Sequence, residues 1–412
     1  MKTGRSIMKI NVRNLVNTIM LMQIGCILFL GLLSSYFPGF EILSYIPDAL
    51  NILLLLLIAN KLKHNLTIDH IIILLFAMYA IFSALWGDGN WYYVISSGRR
   101  YLSAFIIYYA ASEYILSEYL EKGLNLCLFA QGLNVIFTAY QNLVMKLHPD
   151  FCNGIFGFTL YNNALQGIFC LIISIIAIVY FLDRKWSKIK SIYAIGTSCI
   201  ICAFSEIKAY YVLLIMVFFV ALLFRTNSIK TIKRVFNLTF IGIALLIVAY
   251  KVLEIVFPAN LQTFFNLSQY VLYEQYGARG GAGRLTTISY IYNTVFKRNI
   301  WNTLIGSGLG GVATEYAYTI GKLFVSFGVT GLLLLSIWLI CICLKYWRSA
   351  KYNSQNLILI IMATMIVVTL FVWNALFTQA VFLIFWIMGA CGLGDKKYKL
   401  GLLTNGEIKN DK

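Results

Sequence analysis

The stretch from Tyr276 to Thr287, YGARGGAGRLTT, sets Arg279 and Arg284 among four glycines with no acidic residue between them. Glycine lets a backbone approach a ligand closely, and a guanidinium offers a planar fork of donors that matches phosphate oxygens two at a time. The chemistry such a segment can do is anion binding. Two readings stay open from these residues alone: a flexible loop whose arginines touch lipid headgroups, and a built site for a phosphate-bearing ligand.

Three further groups of residues have chemical potential. Arg99 and Arg100 stand together in SSGRRYLSAFIIYY, where they either snorkel to lipid phosphates or add a second contact to the same anion. FSEIKAYY, Phe204 to Tyr211, places Glu206 two residues from Lys208. The pair either neutralises itself or leaves Lys208 facing a cavity as a third cation. Glu315, in GGVATEYAYTIGKLF, is one of few outer carboxylates, with Asp88, Asp150, Glu206, Glu254 and Glu274. A carboxylate beside a cationic cluster stays ionised and can take a proton from a sugar hydroxyl as general base; the competing reading is a solvated loop residue.

Several chemistries are missing from the sequence. There is no Asp-x-Asp pair for metal-assisted use of a nucleotide sugar, no glycine-rich phosphate loop ending in Lys-Ser/Thr, and no recognisable Ser/His/Asp grouping. His64, His70 and His148 are too scattered for a metal site. No metal or other cofactor is therefore expected, and the net charge of +17 has no basic-aromatic soluble surface that would bind nucleic acid.

The elements that must position these residues are membrane helices. Sixty per cent of the 412 residues are hydrophobic, 12% are charged, and only four are proline. That apolar share exceeds what a soluble domain carries. The apolar runs are continuous and lack the alternation of a membrane β-barrel. At roughly 20 residues per span, about twelve spans are expected, near residues 14–37, 46–60, 67–86, 98–116, 124–145, 163–182, 190–206, 207–224, 236–256, 322–344, 357–375 and 378–394. The second and seventh are short. The first is expected to be a retained helix rather than a signal peptide, since no small-residue cleavage pattern follows it.

Orientation follows from lysine and arginine in the connecting segments. With the N-terminus inside, most of the 33 basic residues are cytoplasmic, in the N-terminal segment, the loops near 61–63, 122, 184–190, 225–234 and 345–351, and the C-terminal tail. Both termini are then cytoplasmic, and part of the charge serves attraction to membrane lipid. The cations that oppose this trend are Arg99, Arg100, Lys146, Lys208, Lys251, Arg279, Arg284, Lys297, Arg298 and Lys322, all expected outside. Eight cysteines fall in apolar runs, where cysteine behaves as a small hydrophobe; Cys152 alone is expected in an outer loop, without a partner.

The loops are unequal. Residues 257–321 form one large extracytoplasmic loop before the tenth helix of an otherwise single integral membrane domain, 1–412. Within it, Leu285, Ile288, Ile291 or Tyr292, Val295 and Phe296 recur at spacings of three and four, which predicts an amphipathic helix over 284–300 lying in the headgroup region, with Lys297, Arg298 and Trp301 at its end. Arg284 would stand at that helix's start, where backbone N–H groups favour an anion.

Taken together, these stretches resemble the O-antigen polymerase and ligase superfamily, the Wzy-type polysaccharide polymerases and their ligase relatives. GRLTTISYIYNTVFKRNIWNTLIGSGLGG followed by LFVSFGVTGLLLL resembles that family's Gly-Arg, amphipathic helix, Gly-x-Gly turn and glycine-rich start of the next span. CNGIFGFTLYNNALQG resembles its Gly-x-Phe…Asn segment, and SEIKAYYVLL its polar-basic junction, with Lys208 where arginine is common. The resemblance covers nearly the whole length.

It implies a GT-C-like helical fold in the cytoplasmic membrane of a bacterium. It also implies an enzyme, a glycosyltransferase that moves a growing glycan from undecaprenyl diphosphate onto a lipid-linked repeat unit at the outer face, so building an O-antigen, capsule or exopolysaccharide. On that resemblance Arg284 stabilises the departing diphosphate, with Arg279, Arg99 or Arg100 and Lys208 beside it, and Glu315 is the candidate base. A flippase and a chain-length regulator of the same pathway would be its partners. Ligases carry a histidine shortly before the next span, where this chain has Glu315 and Tyr316, so a polymerase is expected before a ligase. A flippase or transporter of the lipid-linked unit would show two related halves, and a non-enzymatic scaffold would leave the outer cations unexplained.

Overall fold

The computed structural model describes residues 11–37, 39–62, 66–87, 91–158, 162–225, 283, 286–309, 319–373 and 380–392. Its regular elements among these residues are all helical: α1 (Val12–Tyr36), α2 (Ile46–Leu62), α3 (Ile68–Phe82), α4 (Trp91–Tyr114), α5 (Ser117–Ala139), α6 (Asn162–Leu182), α7 (Lys188–Phe204), α8 (Lys208–Arg225), α9 (Thr287–Tyr290), α10 (Ile300–Ile305), α11 (Thr319–Ala350), α12 (Ser354–Val372) and α13 (Ala380–Cys391). Among the described residues, seven helical segments are long and apolar enough to cross a membrane. Eleven of the expected spans coincide with a helix here; the span expected at 236–256 lies outside the described residues.

The sequence dictates which helices lie inside. α6 is apolar over most of its surface and buried along almost its entire length; the middle of α4 from Ala104 to Ala111 is buried too, as is the greater part of α12. A helix that is apolar all round belongs in a protein core or in lipid. Peripheral helices instead turn large apolar side chains outward, Leu56, Leu223 and Leu344 being 69%, 75% and 74% exposed. Exposure of that kind is unfavourable against water and natural against lipid tails. With lipid outside, tight packing takes over from the hydrophobic effect between helices. Gly389 shows it: α13 lies so close along α4 that an added Cβ would stand 2.4 Å from the Tyr108 carbonyl oxygen.

At the end expected to be cytoplasmic, charged side chains tie helix ends together. Arg13 donates from Nε to the Tyr114 carbonyl (2.9 Å), and Asn17 both donates to that carbonyl and accepts from the Leu116 N–H. These bonds satisfy carbonyls that the end of α4 leaves open. Arg225 grips Asp183 through two parallel bonds of 2.7 Å and also donates to the Ala350 carbonyl. Lys345 reaches Asp69 at 2.8 Å, and Asp69 accepts a second bond from the Tyr108 hydroxyl at 2.7 Å.

The large loop departs from the expected single helix. α9 begins at Thr287 and continues as one wide turn over Ile291–Val295. Lys297 and Arg298 then adopt positive φ (49° and 60°), and Asn299 caps a second short helix, α10. The apolar stripe is real, but its partner is protein: Ile291 and Phe296 are buried against Phe324 and Val325 of α11. Helix spacing persisted through the break because Ile300 and Leu304 keep an apolar pattern beyond it; they and Trp301 are exposed.

Candidate functional site

The end opposite the lysine- and arginine-rich loops gathers cations from three helices. Arg99 and Arg100 lie two turns into α4. Arg99 donates to Asp48 in the first turn of α2, and its guanidinium lies over the Tyr45 ring, 5.5 Å from the centroid. Arg100 acts electrostatically on Asp48 too, and on Lys322 from the first turns of α11. Two cations thus act on the Asp48 carboxylate, and a third, Lys322, feels the charge of Arg100.

A buried polar ladder fixes this group. The Arg99 carbonyl accepts from Ser103 Oγ (2.7 Å), Ser103 Oγ accepts from Asn51 Nδ2 (2.9 Å), and Asn51 Oδ1 accepts from Gln23 Nε2 (2.8 Å). The ladder joins α4, α2 and α1. In lipid such side-chain bonds act as adhesive between helices, so the turn carrying both arginines is held from below.

Lys208 belongs to a second group. It opens α8 after a tight junction in which Glu206 takes φ 49°, a left-handed conformation uncommon for a non-glycine residue. Glu206 is half-buried, and burial pushes its carboxyl above the usual range while Lys208 and His148 pull it down and Asp150 adds to the rise. His148 stands 3.6 Å from Asp150. Beneath them the Cys152 carbonyl accepts from both Gln166 Nε2 (3.1 Å) and Ser205 Oγ, and Gln166 also donates to Ser205 (2.6 Å). Cys152 is therefore no surface thiol: it is fully buried, and burial pushes it up to about 11.

Trp373 stands between the two groups. A methyl placed on Gly167 would lie 3.0 Å from the Trp373 ring and 3.1 Å from Ile207, the neighbour of Lys208. The Trp373 carbonyl accepts from the backbone N–H and the hydroxyl of Thr319, at 3.3 and 2.7 Å, at the start of α11. Lys322 follows one turn later.

Of the residues that the sequence put forward, Arg99, Arg100 and Lys208 are therefore positioned at this end of the bundle. Arg279, Arg284 and Glu315 lie outside the described residues. Two participants were missed. Lys322 ranked only as one of several outer cations, although its place just inside an apolar span, where a charge needs a reason, was a usable signal. Asp48 was passed over because it stands in the apolar run of the second span; its position in the first turn of a helix, right after Pro47, was the clue.

The chemistry available to this arrangement is recognition of an anion with several oxygens at the membrane boundary. Among the described residues no group of three or more His, Cys, Asp and Glu side chains could hold a metal ion. Compared with models of known protein families and with curated proteins, the chain matches none.

Proposed function

We propose that this chain is a Wzy-type polymerase of a surface polysaccharide, a GT-C-like enzyme with about twelve spans that acts at the outer face of a bacterial cytoplasmic membrane. The observation that carries the reading is the grouping of Arg99 and Arg100 beside Asp48, with Lys322 near Arg100, at the end away from the topological lysines. A diphosphate anchored by its lipid in the outer leaflet presents several charged oxygens at that depth. The resemblance of the glycine-arginine segment and its Gly-x-Gly turn to the polymerases points to the same ligand.

In the proposed reaction the hydroxyl of one lipid-linked repeat unit attacks the anomeric carbon of another glycan. The bond from that carbon to the diphosphate oxygen breaks, and the electron pair leaves with undecaprenyl diphosphate. Cations placed where this charge develops stabilise the transition state more than the bound substrate. Arg284, Arg279, Arg99, Arg100 and Lys208 are assigned to the diphosphate, with Lys322 added beside Arg100. The hydroxyl proton passes to a base, for which Glu315 is the candidate. The glycosyl–diphosphate linkage that breaks supplies the driving force, so no nucleotide is consumed.

Reconstitution tests this. The purified chain in liposomes, given an undecaprenyl-diphosphate-linked repeat unit and no nucleotide, should make a ladder of longer glycans. Arg100→Ala and Lys322→Ala should each slow it by about 100-fold, the scale of losing one charge-stabilising donor. A wild-type protein that only moves the lipid-linked unit across the bilayer, with no elongation, would refute the polymerase assignment.

A further inference from the structure

α11 is two helices rather than one. Gly328 interrupts it at φ 59°, ψ −158°, so the outer half, 319–327, carries Lys322, and the inner half, 329–350, carries Lys345. A break inside a membrane helix strands carbonyls that lipid cannot satisfy. Here the strap between α10 and α11 satisfies them. Ser307 N–H donates to the Val325 carbonyl (2.7 Å) and Gly308 N–H to that of Ser326 (3.1 Å). The contact is backbone on backbone: a Cβ added at Gly306, Gly308 or Gly328 would meet main-chain atoms at 2.5 Å.

α3 grips both halves and the strap. Near its outer end the Tyr79 hydroxyl shares its proton between the Ile305 carbonyl of the strap (3.0 Å) and the Phe327 carbonyl at the break (3.2 Å). One turn on, Ser83 Oγ accepts from Leu309 N–H (3.1 Å). At the other end of α3, Asp69 holds Lys345 of the inner half. One continuous helix therefore sets the angle between two pieces of another.

We infer that Tyr79 is a positioning residue: its hydroxyl fixes the outer half of α11 at the break, and so holds in place the turn that carries Lys322. Tyr79 acts through Lys322 and touches no ligand itself. The functional side of this inference rests on the reading of the outer cations as a diphosphate site; the mechanical side does not.

The test uses the full chain in lipid nanodiscs and two readouts. Tyr79→Phe keeps the ring, which packs beside Trp86 and Phe327, and removes only the hydroxyl. Amide hydrogen exchange should rise about fivefold across 319–327 and 305–309, with 335–350, beyond the turn of Thr330 that also meets the hydroxyl, unchanged, as expected when one shared hydrogen bond releases a local unit. Affinity for inorganic diphosphate should fall about tenfold, as in Lys322→Ala, the scale of one charge-assisted hydrogen bond. Unchanged exchange in the outer half, or a rise that spreads equally over 335–350, overturns the positioning role. Selective exchange with no diphosphate binding by the wild type overturns the diphosphate reading and leaves the hold of Tyr79 on the half-helix standing. Should Tyr79→Phe not fold, Ser83→Ala, which removes the bond to Leu309, is judged by the same criteria.

Discussion

Among individual residues, the charge that matters most in the Lys208 group is the one on Glu206. Its carboxyl is raised mainly by burial, with Lys208 and His148 opposing. In the folded chain it therefore binds its proton to higher pH than in the unfolded chain. The stability that neutral Glu206 provides is complete below the ordinary carboxylate range and is lost as pH rises through its raised value. Glu206→Gln, neutral at every pH, should thus melt higher than the wild type near neutrality, with the gap closing towards about pH 4. Melting curves in detergent across that range check this; a gap that widens at low pH would show that Lys208 and His148 outweigh burial. The sequence already exposed Glu206 and Lys208 as neighbours, because the two lie two residues apart. It could not expose the Arg99–Asp48 pair, whose members are 51 positions apart and meet only through the packing of α2 on α4.

The elements were legible where hydrophobic periodicity decides structure and illegible where it does not. Long apolar runs forced helices over most of their expected lengths, because a backbone in lipid has little alternative. The break at Gly328 left no trace in that pattern, since apolar side chains continue through it as VSFGVTGLLLL. Only a conformation beyond the reach of other residues marks the break, and glycines elsewhere in helices carry no such meaning. The contrast is measurable. Gly308 has φ 83° and would place a Cβ 2.5 Å from Gly87 and from the Ser83 carbonyl, whereas Gly25, in α1, has open space around it. Gly308→Ala should cost about 1–3 kcal/mol through strain and clash. Gly25→Ala should be neutral or stabilising by up to about 1 kcal/mol, as expected for alanine in a helix. Melting of both variants in one lipid system tests the pair; equal behaviour would mean that the strap does not depend on close backbone contact. The amphipathic stripe of the large loop illustrates the same limit: spacing identified the apolar face around Ile291 and Phe296 but not that α11 would cover it.

At the scale of the whole molecule, two ends with different charged groups are joined by a shared framework. One end anchors helix termini with pairs such as Arg225–Asp183 and Lys345–Asp69. The other gathers Arg99, Arg100, Lys322 and Lys208 on helices that meet through Trp373, α3 and the polar ladder. The expected division into topological lysines and opposing cations came from the polarity of charge along the chain, since the two kinds of charge obey different rules. The central claim is that the cationic end joins lipid-linked glycans into polymer. It is tested most directly by deleting the gene, restoring either wild type or Arg100→Ala at matched expression, and sizing the surface glycan on a gel. The account predicts long chains with the wild type, and single repeat units at the surface with the deletion and with Arg100→Ala. Long chains persisting in the deletion strain, or no repeat unit exported at all, would contradict it.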